Sequence, residues 1–357
     1  MKISSQGGLA FNNDNRIEPK NDDTMMKSRL LFLTLMLCIG FCLVAQQSEI
    51  CPAKDKVRNA NMMKKAAPKQ REGSIEDFDQ VIEKNPSDTA AYFYRANLKA
   101  AESDLQGAID DLNQAISINP NYFQALNLRA QLRSDIGDIA GAILDYDRVI
   151  ELRPDNALAH ANRAFLKDKS GDTQGAMADY DRAIELDSTD VISYLNRAIL
   201  KSNSKDVQGA IEDIDRIIEM DSTSFDAFYY RGTFKAYARD YLGAVEDFSK
   251  AIELDPENSS AYSNRALMKA RAGVDGALED YGKAIELNPS NVTAYYNRSI
   301  LRYESDDIQG AIEDISQAIA LRPNRADYYT TRSTMREKAG DYEGAQEDCA
   351  KAEELKQ

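Results

Sequence analysis

The sequence predicts an all-α solenoid of helix-turn-helix repeats, and three observations carry that prediction. A Gly-Ala pair recurs at Gly107-Ala108, Gly141-Ala142, Gly175-Ala176, Gly209-Ala210, Gly243-Ala244, Gly276-Ala277, Gly310-Ala311 and Gly344-Ala345. The interval is 34 residues throughout, except for the 33 between Gly243 and Gly276. Apolar residues around each pair return at the spacing of a helix with one buried face. A single helical hairpin cannot cover its own apolar face, so such units must stack on one another.

The elements follow in chain order. Residues 1–24 are polar and aperiodic, and read as an extension ahead of a start at Met25 or Met26. Lys27 and Arg29 then precede an apolar run from Leu30 to Ala45, interrupted only by Thr34 and Gly40. Basic residues before a short apolar core read as a signal peptide over 25–45, with cleavage after Ala45. That places the mature chain in the periplasm, at the cell surface or outside the cell. The run falls short of the roughly 20 residues that span a bilayer; left uncleaved, it would be a membrane anchor over residues 30–45. Phe41 before Cys42 disfavours a lipoprotein signal. Residues 46–69 read as a partly helical linker, and 70–88 as a partial N-terminal repeat marked by Gly73-Ser74-Ile75.

Eight repeats then occupy residues 89–357. Asp104, Asp138, Asp172, Asp206, Asp240, Asp307 and Asp341 are expected to cap the second helices, and Asn121, Asp190, Asn291 and Asn324 the first. In the last unit Gln346 and Glu353 stand where earlier units carry apolar residues such as Ile109 and Ile116. Those positions should face a following repeat, so the last unit reads as a C-terminal cap.

Numbered from Thr89, the fourth position is aromatic at Tyr92, Tyr194, Phe228, Tyr262, Tyr295 and Tyr329, with Leu126 and His160 in the other two units. The eighth position is small from Ala96 to Ser333, the twentieth is the alanine of each Gly-Ala pair, and Pro120, Pro154, Pro256, Pro289 and Pro323 close repeats. This pattern resembles the tetratricopeptide repeat family over about residues 70–357. The resemblance implies a right-handed superhelical solenoid whose concave surface, lined by the first helices, holds peptides or partner proteins.

One feature departs from the family pattern. Position 7 is always arginine: Arg95, Arg129, Arg163, Arg197, Arg231, Arg265, Arg298 and Arg332. Position 11 is always basic, from Lys99 to Arg336. Position 23 is always aspartate: Asp111, Asp145, Asp179, Asp213, Asp247, Asp280, Asp314 and Asp348, with Asp77 in the partial unit. These stripes read either as an internal ion-pair ladder that fixes helix register or as a charged ligand track.

For a binding face, the resemblance points to positions 2, 5, 6, 9, 12 and 13. Position 6 is Asn162, Asn196, Asn264 and Asn297 in four units, and such amides could pair with an extended peptide backbone. Tyr94, Tyr229, Tyr230, Tyr237, Tyr296 and Phe165 accompany them, offering apolar area with polar tips. The alternative is that these side chains only pack against neighbouring first helices. The family's carboxylate clamp, with Lys at positions 2 and 5 and Arg at 6, is absent from all eight units, which disfavours an adaptor for acidic chaperone tails.

Composition narrows the function further. The net charge is -15, with Lys and Arg spread along the whole chain, so nucleic acid is not an expected partner. Cys38 and Cys42 lie in the apolar run, and Cys51 and Cys349 lie near opposite ends of the chain, so no intramolecular disulfide is expected. The one histidine, His160, occupies an aromatic packing position. Glu304-Ser305-Asp306-Asp307 lacks calcium-loop spacing, and no phosphate-binding glycine loop is present. No catalytic residue, metal or cofactor is expected. The sequence thus reads as a non-catalytic interaction scaffold; the alternative is a self-associating structural repeat protein of the cell envelope.

Overall fold

The computed structural model describes residues 73–356. The polar extension, the signal peptide with Cys38 and Cys42, the linker with Cys51, and residues 70–72 of the partial repeat lie outside the described residues. The described part belongs to one compact unit, Gln70–Gln357.

Helix α1 (Ile75–Lys84) stands before eight helical hairpins. The first four pair α2 (Thr89–Ala101) with α3 (Leu105–Ile118), α4 (Phe123–Asp135) with α5 (Ile139–Leu152), α6 (Ala157–Lys169) with α7 (Thr173–Leu186), and α8 (Val191–Asn203) with α9 (Val207–Met220). The second four pair α10 (Phe225–Tyr237) with α11 (Tyr241–Leu254), α12 (Ser259–Ala272) with α13 (Ala277–Leu287), α14 (Val292–Glu304) with α15 (Ile308–Leu321), and α16 (Ala326–Ala339) with α17 (Tyr342–Glu354). Each helix packs on the next along the chain, and each hairpin on its successor. Among the described residues no helix is long and apolar enough to cross a membrane.

Small residues make the hairpins close. Ala96 and Ala108, Ala130 and Ala142, Ala164 and Ala176, and Ala198 and Ala210 are all sealed from solvent. Gly232 takes this position in α10 because space there is tight: a Cβ would meet the Phe248 ring at 3.2 Å. Position 24 supplies the bulk, through Leu112, Tyr146, Tyr180, Ile214, Phe248, Tyr281 and Ile315, all fully buried. Burying one such side chain contributes roughly 1.5–3 kcal/mol. The cores are continuous across hairpin boundaries, since Ala125 and Leu132 of α4 belong to the same cluster as Phe93, Ala96 and Leu112 of the preceding hairpin.

Capping sets the turns. The aspartates before α3, α5, α7, α9, α11, α15 and α17 each accept a hydrogen bond from the backbone N–H of the glycine three residues on, at 2.9–3.0 Å. That glycine has to lack a side chain, because a Cβ on Gly107 would fall 2.0 Å from the Asp104 carboxylate. Asp190 and Asn291 cap α8 and α14 as expected. Asn121 and Asn324 do not cap α4 and α16. The N-cap positions are Tyr122 and Arg325, neither with a side-chain bond, and Asn121 instead accepts from Arg148 at 2.7 Å. Asp77 also departs from its stripe: it is exposed and forms a capping box with Ser74 at the start of α1.

In the last hairpin Gln346, Cys349 and Glu353 are exposed. Ser333 Oγ lies 3.1 Å from Cys349 Sγ.

Candidate functional site

The arginine and aspartate stripes face each other inside every hairpin. Each position-7 arginine donates from Nε to Oδ2 of its aspartate at 2.8–3.0 Å. Each also donates from Nη2 to Oδ1 of the same carboxylate at 2.5–2.7 Å. The position-11 cation grips that carboxylate too, at 2.8–3.1 Å from Lys99 through Arg336. The aspartates are 3–6% exposed. A buried carboxylate held by a bidentate arginine and a second cation has its lone pairs satisfied inside the protein. At Asp179 burial pushes the carboxyl up, but the hydrogen bonds and charges of Arg163 and Lys167 outweigh it and hold the group below its ordinary range.

The third guanidinium nitrogen, Nη1, reaches the preceding second helix. Arg95 donates to Asp79, Arg129 to Asn113, Arg163 to Asp147, Arg197 to Asp181 and Arg231 to Asp215, at 2.5–2.8 Å. Arg265 and Arg332 reach Ser249 and Ser316, at 3.3 and 3.1 Å. Sequence reading missed this link between hairpins. Its acceptor stands two residues after the invariant aspartate but varies among Asp, Asn and Ser, so no repeated letter marks it. The guanidinium also lies over the position-4 ring where one exists, at 5.4–5.9 Å for Arg95, Arg197, Arg231, Arg265, Arg298 and Arg332. Where His160 replaces the ring, its Nδ1 is 3.5 Å from Asp179 and its Nε2 is 3.2 Å from the Pro154 carbonyl.

The asparagine series differs from expectation. Asn162, Asn264 and Asn297 are buried and Asn196 is half-buried, so they are not a row of open amides. The reason is a tyrosine partner. Asn162 Nδ2 donates to the Tyr146 hydroxyl at 3.1 Å, and Asn264 Nδ2 donates to the Tyr229 hydroxyl at 2.9 Å. Tyr229 and Tyr296 are buried as well. Tyr229 makes edge contacts with Tyr230 and Phe248, and Tyr296 stacks on Tyr328 at 5.0 Å. Burial pushes the Tyr229 phenol up to about 12, against the opposing hydrogen bond from Asn264. Tyr94, Phe165, Tyr230 and Tyr237 are half-buried and keep part of their rings at the surface. Tyr94 stacks on Phe78 of α1 at 5.8 Å.

Three sealed polar atoms have no hydrogen-bond partner among the described residues: Gln131 Nε2, Ser263 Oγ and Arg271 Nη2. All three lie on first helices, α4 and α12, at positions 9, 5 and 13 of their repeats.

The repeat geometry is matched by family models. The tetratricopeptide repeat model matches residues 70–123 and 127–191, and a second TPR repeat model matches residues 274–306. The chain carries tetratricopeptide repeats. The tetratricopeptide fold recurs among solved structures. The C-terminal part of a TPR repeat-containing protein from Cytophaga hutchinsonii is 20% identical, with 67% of this chain and 98% of that one covered and a TM-score of 0.59. A tetratricopeptide repeat protein from Parabacteroides merdae is 18% identical, with 73% and 99% covered and a TM-score of 0.51. At these identities the likeness is one of fold. No curated protein sequence matches the chain. A tetratricopeptide array of this kind is a protein-interaction scaffold.

Proposed function

We propose that the chain is a non-catalytic scaffold that holds a peptide or partner protein against its first-helix surface, in an envelope or secreted setting. The observation that carries this reading is where part-exposed aromatic rings lie: Tyr94, Phe165, Tyr230 and Tyr237 are half-buried on first helices. The hairpin interiors, by contrast, are closed by the Arg–Asp networks, whose aspartates are buried. The half-buried rings of Tyr230 and Tyr237 on α10 add apolar area beside polar tips, the composition that dominates interface energetics.

In this reading the arginine–aspartate stripes are structural. Their charges are spent on one another, which leaves little for a ligand. The asparagines act through tyrosines: Asn264 holds the Tyr229 hydroxyl and so sets the floor of the surface around α10 and α12. The envelope setting rests on the leader over 25–45, whose basic residues precede a short apolar core.

The test is co-purification of partners from the native cells with wild type and with Tyr230→Ser/Tyr237→Ser, checked for an unchanged helical circular dichroism spectrum. Loss of a specific partner with the fold intact supports the reading. Undiminished recovery from the folded double variant overturns it.

A further inference from the structure

The links between hairpins are not uniform, and one junction lacks its clamp. At seven of the eight position-7 arginines, Nη1 bonds to the residue two after the aspartate of the preceding second helix: Asp79, Asn113, Asp147, Asp181, Asp215, Ser249 or Ser316. At Arg298 that residue is Gly282, which has no side chain to accept. The geometry there is otherwise intact. Arg298 still holds Asp314 at 2.8 and 2.7 Å, and a Cβ built on Gly282 would lie 3.7 Å from Arg298 Nη1 with no other atom near it. The donor is in place, and only the acceptor is lacking.

Two further departures fall in the same hairpin. Helix α13 has 11 residues, against 14 in α3, α5, α7, α9, α11 and α15. It starts at Gly276, at φ +90°, with no side-chain cap, where seven other second helices have a capping aspartate. A glycine inside α13 and an uncapped start each weaken the helix. The start of α14 keeps a polar link. Asn291 Nδ2 donates to Ser259 Oγ at 2.9 Å, and that hydroxyl donates to the Ala284 carbonyl at 2.8 Å. Asn291 and Arg298 are seven residues apart, about 10 Å along α14. The junction thus keeps a polar link at the start of α14 and lacks the arginine clamp two turns further on.

We infer that the junction between the sixth and seventh hairpins is a hinge, about which the hairpins from α14 onward pivot on the Ser259–Asn291 link. The pivot changes the width of the first-helix surface between α12 and α14. The neighbouring hairpins, each clamped by its arginine, move as blocks. This inference does not depend on what the surface binds.

Hydrogen exchange by mass spectrometry on the full chain tests it, with the α9–α10 junction as the internal reference. In the wild type, amides of α13 and the first half of α14 are expected to exchange faster than those of α9 and α10. Gly282→Asp supplies the missing acceptor. Gly282→Ala is the control, since it improves helix propensity without adding one. Asp215→Ala removes an existing clamp. Gly282→Asp should slow exchange across α13–α14 by roughly threefold to tenfold beyond Gly282→Ala, as expected for one hydrogen bond of ordinary net strength. Asp215→Ala should make α9–α10 exchange faster by a similar factor. Equal protection of the two wild-type junctions, or Gly282→Asp no slower than Gly282→Ala, overturns the hinge.

Discussion

The amide of Asn264 donates to the hydroxyl of Tyr229, 35 residues earlier in the chain and one hairpin away, at 2.9 Å. The pair is buried, so each side chain depends on the other. Removing the hydroxyl leaves the Asn264 N–H without an acceptor, a loss of about 1–3 kcal/mol. Tyr229→Phe should therefore destabilise the chain by that amount in urea unfolding. Tyr229→Phe/Asn264→Leu, which removes both ends, should recover part of the loss; a double variant that is worse than additive would contradict the pairing.

The same phenol predicts an alkaline limb of stability. Its folded value, about 12, lies above the ordinary tyrosine value of 10.0. A group whose folded value is raised contributes stability that is present below the unfolded value and is lost as pH rises through the folded one. Thermal midpoints should thus fall between about pH 10 and 12, and less steeply in Tyr229→Phe, with tyrosinate absorbance reporting the titration.

Acid acts on the other side. Asp179 is held below its ordinary range despite burial, because Arg163 and Lys167 outweigh the cost of desolvation. Its contribution is present above the unfolded carboxylate value and is lost as pH falls through the depressed folded value. Melting followed downward from neutral pH should show stability declining below about pH 4. Asp179→Asn should be less stable near neutrality and show a shallower acid limb.

How much of this was legible in the sequence depends on whether a role is tied to one letter. The 34-residue period, the capping aspartates and the facing Arg and Asp stripes each repeat the same residue type, so hairpins and their polar interior could be read directly. The Nη1 acceptor could not, because Asp79, Asn113 and Ser249 fill one role with three chemistries. The burial of the asparagines was hidden for a different reason. Position 6 was read by analogy as an open face, yet Asn162, Asn196 and Asn297 each follow a tyrosine by 16 residues, at Tyr146, Tyr180 and Tyr281. That spacing equals the one joining Arg163 to Asp147 across hairpins, and it was the available signal. Where Phe248 breaks the series, Asn264 turns to Tyr229.

The stripes also carry a mutational prediction. Arg298→Met removes two bonds to Asp314, but Arg302 still reaches that carboxylate at 3.0 Å. The carboxylate is therefore not left alone, and the expected cost is about 3 kcal/mol, at the low end for breaking a buried pair. Asp314→Ala, which strands two cations, should cost at least as much. Urea unfolding of the two variants checks the order, and a melting curve unchanged by Arg298→Met would contradict a structural role.

Turn geometry offers a stabilising change. Gly137, Gly171 and Gly340 take positive φ after their first helices, where Lys205 and Arg239 stand at φ 70° and 62°. A side chain in that region costs roughly 1–2 kcal/mol. Lys205→Gly and Arg239→Gly should each raise the thermal midpoint, while Gly137→Ala should lower it.

The claim that the first-helix surface holds the partner is tested most directly by photo-crosslinking in the native cells. A photoreactive residue placed at Tyr230, on α10, is compared with one at Leu144, an exposed residue of α5. Crosslinks to one defined partner from position 230 and none from position 144 are the predicted result. The same partner captured from position 144 alone, or equally from both, would contradict the account.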